Sequence, residues 1–208
     1  MTRPKQRVWL SDSNDALERL RIQHDAALFL PLSVTGSHVG PRRCHTSGRV
    51  LDISFRAWVA AQRHMGFEMD PRELDPTETA VLSEVTAWWK ANRHWMQAAD
   101  ILRLDSADPA VIAEQQLARD KQRFVVFAGK AATSDQIAPR PLRLTELDPD
   151  ASYRITLTNR NTLHHLSRGE PALKEGDITV SGRYLMHHGL TLPWSFPERM
   201  WVVEGERL

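Results

Sequence analysis

Residues 8–39 read VWLSDSNDALERLRIQHDAALFLPLSVTGSHV, and the first half of the chain is organised around them. It opens with an apolar run that predicts a strand over residues 7–11, which ends in the polar cluster Ser11-Asp12-Ser13-Asn14-Asp15. Apolar residues at helical spacing follow and predict a helix from about Asn14 to His24. Two acids therefore lie between a strand end and a helix start, at the edge of an α/β fold where ligands bind.

The two acids have different predicted roles. Asp15 stands three residues before Glu18, an arrangement in which each side chain can accept a hydrogen bond from a backbone N–H at the helix start. We therefore interpret Asp15 as the helix cap. Asp12 stands at the last residue of the strand or just past it, where its side chain can point toward a ligand. From spacing alone, a second capping or turn acid is the favoured interpretation of Asp12.

The strand–helix pattern repeats along the first hundred residues. A second apolar run, Ala26 to Leu32, predicts a buried strand, and a helix is predicted from about Asp52 to Met65. A short alternation predicts a strand over residues 66–70. The sequence Asp75-Pro76-Thr77-Glu78 then marks the start of a helix that runs to about His94. Three such units are typical of parallel α/β architecture, but a closed barrel needs about eight strands.

After Ala99 the pattern changes to short apolar or alternating runs separated by turn residues. These runs cover residues 101–105, 124–127, 153–158, 178–181 and 200–203. Many short strands with turns between them predict an antiparallel β-sandwich. The fold class that we expect is therefore an α/β part followed by an all-β part.

The first forty residues also carry a specific pattern. From Trp9 to Gln23 the sequence is W-x-S-D-x-x-D-A-x-x-R-L-x-I-Q, and Gly36-Ser37-His38-Val39 matches a Gly-x-His-Val motif. Both resemble the acid/base segment of the α-galactosidases of glycoside hydrolase family 36. The resemblance implies that Asp12 is the general acid/base of a retaining glycosidase that acts on terminal α-galactosides. It assigns no substrate-binding residue to this sequence.

The resemblance also implies a domain plan. Residues 1–97 would be the C-terminal part of a (β/α)8 catalytic barrel, its last three βα units, and residues 98–208 would be the β-sandwich that follows the barrel. The family's nucleophile is an aspartate on an earlier barrel strand, and only eight residues precede Trp9 here. We therefore expect a C-terminal portion that carries the acid but lacks the nucleophile and is inactive alone. Asp15, Asp52 and Asp70 are the replacement nucleophiles that we considered, and none has a supporting motif.

Composition excludes several other classes. With 27 Lys and Arg against 26 Asp and Glu, the net charge of +1 favours neither nucleic acid nor an anionic membrane surface. The single cysteine, Cys44, fits a reducing compartment, so we expect a cytoplasmic protein. His38, Cys44 and His45 lack the paired spacing of a structural zinc site, so we predict no metal. We also predict no cofactor, because no phosphate loop or dinucleotide fingerprint is present.

Two functions from different classes remain. The first is the α-galactosidase portion described above, which would act on α-galactoside sugars once the upstream barrel completes it. The second is a non-catalytic module that binds carbohydrate or another subunit. Because the first predicted strand would have an exposed edge, we expect either a homo-oligomer or pairing with a complementing chain.

Overall fold

A computed structural model describes residues 7–136, 140–167, 169 and 171–208. By its internal contacts the chain divides into two compact units, residues 1–99 and 100–208. No helix within the described ranges is long and apolar enough to cross a membrane.

The first unit alternates helices with short parallel strands. Its elements are α1 (Ala16–Ala26), β1 (Gly36–Val39), α2 (Ile53–Ala61), β2 (His64–Phe67) and α3 (Pro76–Met96), with single 3₁₀ turns at Leu32–Val34 and Pro71–Glu73. β1 pairs with β2 in parallel, and Val8 forms a parallel bridge to Thr35, the residue before β1. The parallel α/β arrangement of this unit is therefore confirmed.

Local sequence explains where the two long helices begin. Asp15 accepts hydrogen bonds from the backbone N–H groups of Leu17 and Glu18 at the start of α1. Asp75 and Glu78 form a reciprocal capping box at the start of α3, with Pro76 at the first helical position. Both starts were predicted correctly, because capping depends on side chains within four residues of each other.

The predicted strands of this unit require correction. Residues 26–32 do not form a strand: α1 runs to Ala26, and the turn after it leaves Phe29 83% exposed. The predicted first strand, residues 7–11, is reduced to the bridge at Val8. The strand expected at residues 66–70 begins earlier, at His64. The prediction relied on runs of large apolar side chains. The strand that forms here, β1, has the sequence GSHV and buries mainly small residues.

The described residues of the second unit form one antiparallel sheet of six strands. In chain order these are β3 (Asp100–Leu104), β4 (Val111–Leu117), β5 (Arg123–Lys130), β6 (Ser152–Leu157), β7 (Ile178–Ser181) and β8 (Arg199–Arg207), with the short helices α4 (Ala172–Glu175) and α5 (Gly182–His187) before and after β7. The spatial order is β3-β4-β5-β8-β6-β7, and every pair in this sheet is antiparallel.

The antiparallel prediction is confirmed, but the predicted sandwich is not. Among the described residues this unit has a single sheet, and buried side chains of the loop residues Leu142, Leu144, Leu147, Leu190 and Leu192 join its core. Strand β4 was also missed, because Glu114, Gln115 and Gln116 are buried in its middle and obscure the apolar pattern. Side-chain hydrogen bonds offset the burial of these polar groups, such as the one that Gln116 Nε2 donates to Glu114 Oε1 at 2.9 Å.

Candidate functional site

The site is built at the carboxyl ends of neighbouring parallel segments. The segment at Val8 precedes Asp12, and β1 ends at Val39. Glu68 follows β2, and its backbone N–H donates to the carbonyl of Val39. Because these segments are parallel, their carboxyl ends lie at one edge. Asp12, Glu68 and the loop of residues 40–51 therefore share this edge, which we call the rim.

Asp12 is exposed at the rim and is held by one neighbour. Its Oδ1 accepts a hydrogen bond of 2.9 Å from the indole Nε1 of Trp9. An exposed carboxylate can exchange a proton with a bound molecule, and the Trp9 hydrogen bond orients it. This arrangement suits a general acid/base better than a helix cap.

The Trp9 indole contacts two other side chains. Its ring centroid is 4.5 Å from that of His38, with 57° between the planes, and 4.7 Å from the guanidinium carbon of Arg19. These two contacts restrain the indole, and they restrain with it the direction of the N–H that donates to Asp12.

His38 is placed by a glycine on the neighbouring strand. The register sets His38 beside Gly66, where a Cβ would lie 2.5 Å from the imidazole Cδ2. The Nδ1 atom is 3.7 Å from Glu68 Oε2. Burial lowers the pKa of His38 below the usual histidine value and outweighs the opposing effect of Glu68. The imidazole beside Trp9 is therefore mainly neutral near pH 7.

Asp15 has the structural role predicted for it. Its side chain is fully buried, and besides capping α1 it accepts hydrogen bonds from Ser47 Oγ and Arg49 Nη1. The hydrogen bonds from Ser47 and Arg49 hold the loop of residues 40–51 against the start of α1. Asp15 is therefore committed to the fold, whereas Asp12, three residues earlier, is available to solvent.

Two of the three possible metal ligands, Cys44 and His45, lie on the same loop, and the third, His38, lies on β1. The Cys44 thiol donates to Asn14 Oδ1 at 3.1 Å, and His45 Nδ1 lies 3.1 Å from Asn14 Nδ2, whereas His38 contacts Trp9 instead. Throughout the described ranges, no group of three or more His, Cys, Asp or Glu side chains is arranged to hold a metal ion. Cys44 and His45 thus tie the loop to the residues between Asp12 and Asp15.

Arg19 is a buried residue near the rim that the sequence patterns did not single out. It is only 1% exposed, on the face of α1 that also buries Ala16, Leu20 and Gln23. Burial lowers its pKa below the usual arginine value, while Glu68 and Asp12 oppose this shift. The available signal was its position three residues after Ala16 and four before Gln23, on the buried side of the helix.

Comparison with known families matches both units. The Melibiase family model matches residues 1–99, and the model of the glycosyl hydrolase family 36 C-terminal domain matches residues 111–203. The "Alpha-galactosidase" of Escherichia coli is 30% identical over 207 residues, which are 97% of this chain but 29% of that protein. This chain therefore spans less than a third of the length of that relative.

Solved structures give the same result. The α-galactosidase AgaB of Geobacillus stearothermophilus superimposes with a TM-score of 0.80 at 28% identity, over 97% of this chain and 26% of that one. A variant of AgaA from the same organism, solved in complex with raffinose, gives a TM-score of 0.77 at 26% identity, over 94% and 25% of the two chains.

Proposed function

Because this chain belongs to glycoside hydrolase family 36 and corresponds to the C-terminal portion of an α-galactosidase, we propose that it forms part of a retaining enzyme for terminal α-galactosides. Asp12 is its general acid/base. The observation that carries this proposal is the contrast between two neighbouring acids: Asp12 is exposed at the rim beside Trp9, and Asp15 is buried as a cap.

The position of Asp12 suits the chemistry. A retaining glycosidase needs a carboxylic acid that protonates the leaving oxygen and, as carboxylate, later activates water. Such a group has to meet both substrate and water. Asp12 has the exposure to do so, and Trp9 holds it in one orientation.

The second carboxylate of the mechanism is expected elsewhere. The nucleophile of a retaining enzyme lies about 5–5.5 Å from the acid. The replacement candidates are engaged in caps: Asp15 caps α1, Asp52 accepts from Ser54 N at the start of α2, and Asp70 binds Arg72. We propose that the nucleophile belongs to the part of the relatives that this chain does not span.

The domain plan follows from the same proposal. The parallel segments at Val8, β1 and β2, with helices α1 to α3, would be the last three βα units of a (β/α)8 barrel, within residues 1–97. Residues 98–208 would be the antiparallel β domain that follows it. Raffinose, bound by the AgaA variant, is the first substrate to test.

The experiment compares this chain alone with the chain fused to the upstream portion of the E. coli relative. We expect no turnover of raffinose or of an aryl α-galactoside by the chain alone, and turnover of both by the fusion. Asp12→Asn should abolish raffinose hydrolysis but spare more of the aryl reaction, because an activated leaving group needs little protonation.

The control is Asp25→Asn, which changes an exposed acid at the other end of α1 and should leave both rates unchanged. Equal losses on both substrates would remove Asp12 as the acid. Raffinose binding without turnover by the fusion would favour the non-catalytic module, and turnover by the chain alone would contradict our account of the nucleophile.

A further inference from the structure

The orientation of Asp12 depends on contacts that reach the neighbouring strand. Trp9 donates its indole N–H to Asp12 Oδ1 at 2.9 Å, and the centroid of the His38 ring lies 4.5 Å from that of the Trp9 ring. Trp9 and Asp12 belong to the segment that follows the bridge at Val8, whereas His38 belongs to β1. The acid and the histidine therefore lie on different parallel segments and are connected through one indole ring.

The imidazole of His38 has little room to move. The register of β1 and β2 sets His38 opposite Gly66, and a Cβ added to that glycine would lie 2.5 Å from Cδ2 and 2.6 Å from Nε2 of the ring. One edge of the imidazole therefore packs directly on the glycine backbone, which has no side chain that could rearrange. A ring packed in this way gives firm support to the indole beside it.

Glu68 acts on the remaining nitrogen of His38. Its Oε2 lies 3.7 Å from Nδ1, and its backbone N–H donates to the carbonyl of Val39 at 3.0 Å, so Glu68 is attached to the strand that carries the histidine. The negative charge of Glu68 favours a proton on Nδ1. Because both side chains are partly exposed and the distance is long for a hydrogen bond, we expect this interaction to contribute less than the ring packing.

We propose that His38 is a positioning residue for the acid/base Asp12, acting through Trp9 and supported by Glu68, an inference that rests on the proposed function. An acid that protonates a leaving oxygen has to be held within hydrogen-bond reach of it, and a misplacement of about 1 Å can cost about 100-fold in rate. Asp12 is exposed, so its orientation depends on the Trp9 hydrogen bond.

A positioning role predicts which reactions should suffer. Loss of the His38 ring should slow the steps that need the acid. Raffinose needs protonation, because a sugar hydroxyl is a poor leaving group, whereas an activated aryl galactoside needs little. The ratio of kcat/KM for raffinose to kcat/KM for the aryl galactoside therefore reports how well the acid is placed. Partial unfolding lowers both values equally and leaves this ratio unchanged.

The experiment measures this ratio in the chain fused to the upstream portion of the E. coli relative. His38→Ala and Trp9→Phe should each lower it by about 10-fold or more, since general acid catalysis contributes about 10²–10⁴-fold. Glu68→Gln should lower it by about 2- to 5-fold, as expected for an exposed pair. The control is His45→Ala, which changes an exposed histidine that contacts Asn14 and should leave the ratio unchanged.

Combined substitutions test whether these residues act in series. Trp9→Phe keeps an aromatic ring but removes the N–H, so adding His38→Ala should change the ratio by no more than about 2-fold, whereas independent effects would multiply. In the Asp12→Asn background neither substitution should lower the ratio. If His38→Ala does not fold, His38→Asn takes its place, because it also removes the ring. An unchanged ratio in the His38 variant, or multiplied losses in the double variant, would overturn the proposal.

Nuclear magnetic resonance of the chain alone distinguishes failure of this inference from failure of the proposed function. Asp12→Asn should shift the indole N–H signal of Trp9, which is assigned by its loss in Trp9→Phe. The same shift should be smaller in the His38→Ala background and unchanged in the His45→Ala background. An equal shift in all backgrounds would overturn the positioning role. The smaller shift beside an inactive fusion would support positioning of the Asp12 side chain by His38 and contradict the proposed activity.

Discussion

Substitutions at Asp15 and Asp12 should change the stability of the chain by different amounts, because Asp15 is buried and hydrogen-bonded and Asp12 is exposed. Asp15→Ala removes the cap of α1, which contributes about 1 kcal/mol in typical helices. It also removes the acceptor for Ser47 and Arg49, and hydrogen bonds to a charged group contribute about 1.5–3 kcal/mol. Arg49 is 34% exposed, so solvent screens part of its contribution. We therefore expect a loss of about 2–4 kcal/mol in the free energy of unfolding.

The other variants set the scale for this loss. Asp15→Asn keeps a capping oxygen but loses the charge, so about half of the effect should remain. Asp12→Asn changes an exposed side chain with one hydrogen bond and should alter stability by no more than about 0.5 kcal/mol. Urea unfolding followed by far-UV circular dichroism measures this, because the long helices α1 to α3 all lie in the first unit. If Asp12→Asn costs as much as Asp15→Ala, or Asp15→Ala costs less than about 1 kcal/mol, the assignment of roles is wrong.

Three further predictions concern packing and pH. Gly66→Ala places a Cβ 2.5 Å from the His38 ring and should lower the free energy of unfolding, measured in urea, by about 1–3 kcal/mol. Gly36→Ala is the control on the paired strand, because its Cβ would meet nothing closer than 3.8 Å. Burial lowers the pKa of His38 in the folded chain, so the unfolded chain binds more protons as the pH falls through about 6.5. The free energy of unfolding should therefore fall as the pH drops from about 7 to 5, and His38→Gln should make this dependence on pH weaker. Gly205→Ala brings a Cβ within 2.1 Å of the buried Phe124 ring and should lower the melting temperature by at least about 4 °C, and an unchanged value would contradict the packing described for the second unit.

Sequence patterns predicted the features that depend on neighbouring residues. The caps at Asp15 and Asp75 were read correctly, since a capping side chain bonds to N–H groups within the next turn. The apolar or alternating runs after Ala99 fall in strands β3, β5, β6, β7 and β8, because side chains of each strand pack on an apolar core.

Sequence patterns failed where distant residues decide burial. The apolar residues 26–32 predicted a strand, yet Leu28 and Phe29 are exposed in the turn that ends α1. Strand β4 buries Gln115 because its side chain exchanges hydrogen bonds with the backbone of Thr145, thirty residues along the chain. No local pattern indicates that partner.

For the candidate site, the motif from Trp9 to Gln23 pointed to the family, and the resemblance predicted Asp12 as the acid/base. The spacing of Asp15 and Glu18 already predicted that Asp15 caps a helix, but only the tertiary structure shows that it also binds Ser47 and Arg49, because these side chains come from a loop more than thirty residues away. Likewise, only the fold shows that Arg19 is buried and that no described residue accepts a hydrogen bond from its guanidinium. Burial and pairing depend on the three-dimensional neighbours of a side chain, and its sequence neighbours do not determine them.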